Sequence, residues 1–356
     1  MSVLTKLDAY LDDAGPAALV LRDELTSVEG ADGVLFPPTY AAGDNFPGGY
    51  NLDGDPNGEN ICLIDSVGSQ ANRIEPMFGK APFDSLVPQI GVRAGDRILS
   101  LLEAGHRAGD ALVRCSALQE QLQKAFKALL QKDASPLAKV APTSLVFGVW
   151  DSRDTQAKAP RLLASTIRAY NVRKLTRSAQ YVPATDYVAA GLLDEPTDNA
   201  ASKAYSERGF RHVPASASHG GVIAKGGVRR DASLSLAALR LLSTGDDLAG
   251  TRVLHRYILG LALVAFTANV SGYLRQGCNL VLDGSKPEPR RMEEVYPSGE
   301  RKSLALSQDN ALAYALEAAN AFGVGPSRTV DFDRESAKRD LAGDGEKKAK
   351  GKKAKG

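Results

Sequence analysis

Four polar side chains recur at helical spacing in one short segment of the sequence. They are Ser66, Ser69, Gln70 and Arg73. Residues three and four positions apart lie on the same face of a helix, so these four share one face, and that face carries no acid. Hydroxyl, amide and guanidinium groups donate hydrogen bonds to phosphate oxygens. The segment therefore favours binding of a phosphodiester backbone or another anion. An amphipathic helix with a solvated polar face is the alternative interpretation.

The residues around this face predict a strand followed by a short helix. Ile61–Ile64 are all apolar, which is typical of a buried strand. Asp65 and Ser66 are both good N-cap residues, and Pro76 disfavours helix in the residue before it. The free amides and partial positive charge of a helix N-terminus also favour an anion. The opposite, apolar face of the predicted helix holds Val67, Ala71 and Ile74.

A second unit of the same layout follows later in the chain. Ser144–Trp150 is predicted as a strand, and Pro160–Tyr170 as a helix with Arg161, Ser165 and Arg168 on one face. Arg153 lies in the turn between the two elements. Two strand-helix units predict an α+β fold, an RRM-like (ferredoxin-like) βαββαβ sandwich with both helices on one face of the sheet.

A glycine-rich stretch adds further cations. Gly209–Arg230 is predicted as a hairpin that carries Lys225, Arg229 and Arg230. Arg275 precedes a last predicted strand, Asn279–Leu282. Glycines allow close approach of a backbone, and basic side chains neutralise phosphates. These features again favour a polyanion.

The remaining elements are predicted from apolar periodicity and from composition. Predicted helices are Val3–Leu11, Ala94–Leu102, Arg107–Lys132, Arg252–Thr267 and Ala311–Phe322; predicted extended segments are Ala17–Val28 and Val172–Tyr187. Two long polar segments, Gly30–Gly58 and Thr185–Ser206, are predicted as inserted loops. Beyond about Arg334 the chain is charged and poor in apolar residues, so we expect disorder there.

The net charge of +2 hides a strong asymmetry. The first 60 residues hold two basic residues against eleven acidic ones, a balance of −9. Residues 151–180 hold seven basic residues against two acidic ones, a balance of +5, and six lysines follow from Lys347 onwards. A protein charged in this way can bind a polyanion on one side and stack head to tail with copies of itself.

Several classes of function lack support in the sequence. The start of the chain lacks the pattern of a signal peptide, and the apolar run Ile258–Phe266 is too short to span a bilayer, so we expect a cytoplasmic protein without membrane contact. Three distant cysteines and four histidines form no metal-binding spacing. Gly221–Gly227 lacks the Lys-Ser/Thr of a nucleotide-binding P-loop. We therefore expect neither a cofactor nor a metal nor a catalytic centre.

Six stretches resemble one protein family. They are Leu35–Tyr40, Cys62–Glu75, Pro160–Arg168, Arg229–Leu236, Tyr257–Leu263 and Leu274–Cys278. They look like the backbone subunit, of the RAMP superfamily, in the type I-G (formerly I-U) CRISPR Cascade surveillance complex. The resemblance runs from about residue 15 to about residue 325, and DSVGSQANR is its most specific block. It implies an RRM-like palm with finger and thumb insertions. The domain would span residues 1–335, with inserted loops at about 30–58 and 185–230 and a disordered Lys-rich tail at 336–356.

The same resemblance implies a function and a set of partners. The subunit would be non-catalytic, would oligomerise as a helical filament along crRNA, and would present this guide for pairing with a target DNA strand in antiviral defence. Its implied protein partners are neighbouring copies of itself, a large PAM-sensing subunit, a crRNA-processing endonuclease subunit and a recruited helicase-nuclease.

Guide contact is carried over from the resemblance onto thirteen residues. They are Ser66, Ser69, Gln70, Asn72, Arg73, Arg153, Arg161, Ser165, Arg168, Lys225, Arg229, Arg230 and Arg275. Either the Phe36–Tyr50 loop or the Thr185–His212 insertion would be the thumb.

Two other functions compete with this one. The first is a metal-dependent ribonuclease that cleaves target RNA, as in other RAMP proteins, with Asp44 or Asp186 as the candidate thumb-loop acid. The second is a protein-interaction scaffold that uses the acidic N-terminal segment.

Overall fold

The computed structural model describes residues 7–56, 58–269 and 272–342. It has a mixed α+β fold in which helices cover one face of a curled antiparallel sheet. The strands are β1 (Ala18–Ser27), β2 (Thr39–Tyr40), β3 (Gly49–Tyr50), β4 (Leu52–Gly54), β5 (Asn60–Asp65), β6 (Ile90–Ala94), β7 (Arg97–Ser100), β8 (Val149–Trp150), β9 (Lys158–Ala159), β10 (Leu163–Tyr170), β11 (Val172–Tyr181), β12 (Val213–Ala224), β13 (Val228–Ser235), β14 (Tyr273–Arg275), β15 (Cys278–Leu282), β16 (Arg290–Val295), β17 (Arg301–Ser303) and β18 (Arg328–Asp331).

Along the chain, most helices occur in the connections between strands of the main sheet. They are α1 (Val67–Ile74), α2 (Ala111–Arg114), α3 (Gln119–Leu130), α4 (Ser135–Val140), α5 (Thr143–Phe147), α6 (Asn199–Glu207), α7 (Leu236–Leu239), α8 (Leu248–Thr267) and α9 (Gln308–Phe322). Short 3₁₀ helices span Ala9–Leu11, Glu75–Gly79, Asp84–Leu86, Leu101–Glu103 and Arg107–Gly109. Residues 334–342 are also helical.

The main sheet is centred on β1. Its strand order is β14–β15–β1–β13–β10–β5–β4. One edge of β1 pairs with β13 from Ala18 to Leu25, whereas its other edge pairs first with β16 and then, from Leu25, with β15. Alternate residues of β1 are buried, as the two-residue period of a strand requires. Asp23 therefore points to the same buried side as Leu19 and Leu21.

Helix α8 forms the centre of the helical layer. It packs against α9, where the rings of Tyr257 and Phe322 stack with centroids 4.5 Å apart. By length and composition alone α8 could cross a membrane, but 61% of its most apolar window is buried inside the protein. The core helix of a soluble protein passes the same test, so α8 is weak support for a membrane span.

A two-stranded arm extends from the main sheet. Strands β10 and β13 continue as β11 and β12, which pair with each other outside the sheet. The left-handed conformations of Asn171 and Gly227 mark the change of direction. Residues 182–212, including the exposed α6, form the tip of the arm. The Phe36–Tyr50 loop lies at its base, where Tyr50 Oη accepts a hydrogen bond from the Gly221 amide at 2.9 Å. One candidate thumb segment therefore forms the tip of this arm, and the other contacts its base.

Several predicted elements are confirmed. Strands β1, β5 and β15 and helices α1, α8 and α9 all occur where the sequence pattern places them, and the chain is extended along β11. The Val3–Leu11 helix lies partly outside the described residues, and its described end is helical.

The predicted helix over Pro160–Tyr170 is wrong, because Leu163–Tyr170 is strand β10, which lies inside the sheet between β13 and β5. Leu163, Ser165, Ile167 and Ala169 are all buried at a period of two. The serine at one inward position conceals that alternation in the sequence.

Other predicted boundaries also require correction. Ala94–Leu102 is the β6–β7 hairpin, in which Gly95 makes the turn with a φ of +68°. Ser144–Trp150 is mostly helix α5, followed by β8. Arg107–Lys132 is divided into a 3₁₀ turn, α2 and α3. Gly209–Arg230 is not a hairpin, since β12 pairs with β11. Residues 336–342 are helical rather than disordered, and residues 343–356 lie outside the described part of the chain.

Candidate functional site

Helix α1 directly follows β5 and packs against β10. Ser66 is its N-cap, and the Ser66 hydroxyl accepts a hydrogen bond from the Ser69 amide at 3.2 Å. Ala71 is buried against the core, whereas Gly68 and Asn72 are exposed. No atom lies within 4 Å of where a Cβ of Gly68 would stand, so the first turn of α1 is open to a ligand.

The polar face of α1 is organised by a buried carboxylate that precedes it. Asp65 is fully buried and accepts hydrogen bonds from Ser69 Oγ at 2.8 Å and from Gln70 Nε2 at 2.7 Å. Arg73 Nε at 3.0 Å and Arg275 Nη2 at 3.1 Å form ion pairs with the same carboxylate. Two guanidinium groups thus share one acid, and both remain partly exposed, which leaves a local excess of positive charge at the surface.

A hydrogen-bonded chain continues from α1 across the buried face of the sheet. Gln70 Oε1 accepts from Ser165 Oγ at 2.9 Å, and Ser165 Oγ accepts from Arg230 Nε at 3.0 Å. Arg230 pairs with Asp23, which also binds Arg290 at 2.7 Å. Burial lowers the pKa of Arg230, and the negative charge of Asp23 opposes this shift.

Burial gives three of the predicted residues internal hydrogen-bond partners. Gln70, Ser165 and Arg230 are 4%, 4% and 1% exposed, and their polar groups bind one another. Polar groups that are removed from water need internal partners. These three side chains therefore form an internal network, and Gln70 and Arg230 also line a smaller cavity of about 240 Å³ beside Arg73.

Two other predicted cations lie on the opposite face of the sheet. Arg168 and Arg229 are cross-strand neighbours on β10 and β13. Arg229 pairs with Asp231 at 2.9 Å and donates to Tyr170 Oη at 2.7 Å. Lys225 is exposed at the turn between the arm and the sheet. These residues are thus separate from α1.

A large cleft opens beside α1; we call it the basic cleft. It has a volume of about 820 Å³ and is bounded by α1, the segment 105–114 and the β8–β9 hairpin. Its cationic side chains are Arg107, Arg114, Arg153, Lys158 and Arg161. None of the described residues that line it is acidic. Gly68 and Asn72 line it as well, so it is continuous with α1. Sequence reasoning identified Arg153 and Arg161, and missed the other three cations and Trp150.

The floor of the cleft contains a buried ion pair. Arg107 Nε lies 2.6 Å from Glu75 Oε2, without the linear geometry of a hydrogen bond, and Arg107 Nη2 donates to Asn72 Oδ1 at 3.4 Å. Burial raises the pKa of Glu75 to about 7, although the charge of Arg107 and the neighbouring Thr143 hydroxyl both oppose this shift. The cleft is therefore built on a carboxyl group that titrates near neutral pH.

This raised pKa predicts an unusual pH dependence of stability. Glu75 binds its proton more tightly in the folded than in the unfolded protein, so its ionisation costs stability above pH 7. As the pH falls from 7 towards 4.5, this cost is relieved by up to about 1.4 kcal/mol per pH unit. Burial lowers the pKa of His255, so this side chain makes the protein less stable as the pH falls. Its effect overlaps the pH range of Glu75 and has the opposite sign. The quantity to measure is therefore the difference between the wild-type protein and Glu75→Gln.

Urea unfolding at pH 8, 7, 6 and 5 checks this prediction. The wild-type protein is expected to gain stability relative to Glu75→Gln as the pH falls. Glu120→Gln, at a fully exposed site, serves as the control and is expected to follow the wild-type protein between pH 8 and 6. Parallel curves for the wild-type protein and Glu75→Gln would contradict the assignment.

The residues of the competing ribonuclease interpretation lie away from this site in the described part of the chain. Among the described residues, no cluster of three or more His, Cys, Asp or Glu side chains could hold a metal ion. Asp44 is exposed in the loop at the base of the arm, and Asp186 caps a turn at the tip by accepting from the Val188 and Ala189 amides. Burial raises the pKa of the Cys62 thiol to about 12, which leaves no thiolate nucleophile there at neutral pH.

The strand and helix that carry the site also carry a match to a known family. A family model described as CRISPR-associated protein GSU0053 matches residues 19–174. The match indicates a CRISPR-associated (Cas) protein family and a role in CRISPR defence. It covers β1, α1, the whole basic cleft and β10. No curated protein matches the chain.

Proposed function

We propose that this protein is the crRNA-binding backbone subunit of a type I-G CRISPR effector complex. The observation that carries the proposal is the cationic edge formed by α1 and the basic cleft, within the segment that matches the Cas family. The open first turn of α1, Arg73 and Arg275 supply donors and charge for consecutive phosphates. Seven residues of the predicted set lie along this edge or in the cleft, whereas Arg168, Arg229 and Lys225 lie elsewhere. The seven are Ser66, Ser69, Asn72, Arg73, Arg153, Arg161 and Arg275.

The topology supports an RRM-like palm of the RAMP superfamily. Strands β1 and β10 run in the same direction with the antiparallel β13 between them, and helices lie in the crossovers from β1 to β10 and from β13 to β15. This is a split βαβ arrangement. The β11–β12 arm, with residues 182–212 at its tip, has the position of a thumb, and the Phe36–Tyr50 loop supports its base.

The proposed subunit is cytoplasmic and non-catalytic, and it forms a filament with copies of itself along the guide. The acidic balance of the first 60 residues and the basic balance of residues 151–180 favour head-to-tail stacking of such copies. The guide would pair with a target DNA strand. The large PAM-sensing subunit, the crRNA-processing endonuclease subunit and the helicase-nuclease complete the proposed set of partners.

Purification of the protein tests the proposal. The protein is expected to carry RNA, and RNA-free protein is expected to assemble on a guide-length RNA into particles of a defined mass, measured by size-exclusion chromatography with light scattering. Affinity should fall with salt by about 0.7 log units per log unit of salt for each phosphate neutralised. Protein that contains no RNA and stays monomeric when guide RNA is added would refute the proposal. Oligomers that survive nuclease and high salt would instead support a protein scaffold.

A further inference from the structure

The wall of the basic cleft holds the single tryptophan of the chain. Trp150 ends β8 and is 56% exposed, whereas the preceding Phe147 and Val149 are buried. An indole ring contributes a large apolar surface that water solvates poorly. An exposed ring at the wall of a concave, cationic site is therefore a surface on which a flat group can stack.

The backbone around Trp150 is held firmly in place. Trp150 pairs with Lys158 in the β8–β9 hairpin. The turn of this hairpin is fixed by the buried Asp151, whose Oδ2 accepts from the Thr155 amide at 2.8 Å and from Thr155 Oγ1 at 2.6 Å. A Cβ added to Gly109 would lie 2.8 Å from the Trp150 carbonyl oxygen, so the 105–114 segment packs closely behind it. With the backbone fixed, only the side-chain torsions of Trp150 have to be ordered when a ligand stacks on the ring, so stacking costs little conformational entropy.

The charges near Trp150 favour an anion. Lys158 Nζ lies 5.8 Å from the centroid of the indole ring. Arg161 Nε donates to the Phe147 carbonyl oxygen at 2.9 Å, and no carboxylate among the described residues forms an ion pair with Arg161. Burial and the neighbouring Arg107 both lower the pKa of Arg161. An incoming phosphate would offset this repulsion.

We propose that the basic cleft binds a nucleotide of a single strand, with its base stacked on Trp150 and its phosphate held by Arg161 and Lys158. An aromatic face with a cation beside it suits a nucleobase of any sequence. A volume of about 820 Å³ lies within the range of small-molecule sites. Because Gly68 and Asn72 of α1 line the cleft, a strand bound along α1 reaches this site directly. The inference rests on the proposed function only for the identity of the strand.

The single tryptophan makes the site directly observable. RNA-free protein is titrated with an eight-nucleotide oligouridylate and, separately, with an abasic ribose-phosphate strand of the same length. Stacking on Trp150 is expected to quench tryptophan emission with oligouridylate and not with the abasic strand, while fluorescence anisotropy of labelled strands measures the binding of both. Trp150→Leu is expected to weaken oligouridylate binding by about 5- to 100-fold and to leave the abasic strand unaffected. Trp150→Phe, which keeps an aromatic face, should recover part of the loss.

The outcomes separate this inference from the proposed function. Equal quenching by both strands, or no effect of Trp150→Leu on oligouridylate affinity, would overturn the stacking site. Quenching by polyglutamate that oligouridylate cannot displace would show a protein-docking cleft and would overturn it as well. If oligouridylate binds the wild-type protein without quenching Trp150, and Arg73→Gln removes this binding, the stacking site fails and the function of α1 stands. If oligouridylate quenches Trp150 and Arg73→Gln binds oligouridylate as tightly as the wild-type protein, the stacking site stands and the function of α1 fails.

Discussion

Replacement of Asp65 with alanine is expected to lower the free energy of unfolding by about 3–5 kcal/mol, because it removes one partner from a buried ion pair. Asp65 accepts four hydrogen bonds while fully buried. Without it, Arg73 and Arg275 stand together with no acid between them, and Gln70 loses the partner that fixes its place in the chain towards Arg230. Urea unfolding of the wild-type and variant proteins measures the loss.

The control for this prediction is Asp53→Ala. Asp53 is an exposed acid on the adjacent strand β4, so this change is expected to alter stability by no more than about 0.5 kcal/mol. Adding Arg275→Met to Asp65→Ala removes one of the orphaned cations, so the double variant should be more stable than the sum of the two single changes implies. A loss of less than about 1 kcal/mol for Asp65→Ala would mean that water replaces the carboxylate.

The fold was predictable where local signals agreed with the final packing. Strand β5 and helix α1 follow from four apolar residues, an N-cap serine and Pro76, all within sixteen positions of one another. Strand β10 could not be found in this way, because a serine occupies one of its inward positions. That serine is tolerated in the interior only because Gln70 and Arg230, both distant in sequence, bind it. The pairing of β11 with β12 likewise spans the whole tip of the arm.

The candidate site was predictable in residue type more than in position. Sequence spacing identified Ser69, Gln70 and Arg73 as one polar face, but it could not show that all three bind Asp65. It could not separate buried Arg230 from its less buried neighbour Arg229, since both are arginines next to each other on one strand. The basic cleft combines segments near residues 70, 107 and 155, which only the tertiary fold brings together.

Removal of two cations, one on α1 and one in the basic cleft, is expected to lower nucleic-acid affinity. Arg73→Gln combined with Arg153→Glu is expected to weaken the binding of a guide-length RNA by about 100-fold or more at low salt, since each charge-assisted contact contributes about 1.5–3 kcal/mol. Glutamine is chosen at position 73 because its amide can still donate to Asp65, whereas a glutamate would place two carboxylates together. Two fewer phosphate contacts should also reduce the magnitude of the salt dependence by about 1.4 log units per log unit of salt.

The matched control separates a site from general electrostatics. Arg93→Gln combined with Lys127→Glu makes the same change in net charge at exposed positions away from α1, and Arg93 is likewise paired with an acid, Asp331, at 3.2 Å. RNA affinity is measured by filter binding over a range of salt concentrations. If the two double variants lose affinity equally, net charge explains the binding and the edge of α1 is not the contact surface. A loss confined to Arg73→Gln with Arg153→Glu, at unchanged thermal stability, places the phosphates along α1 and the basic cleft, because the control differs from it only in where the charge is removed.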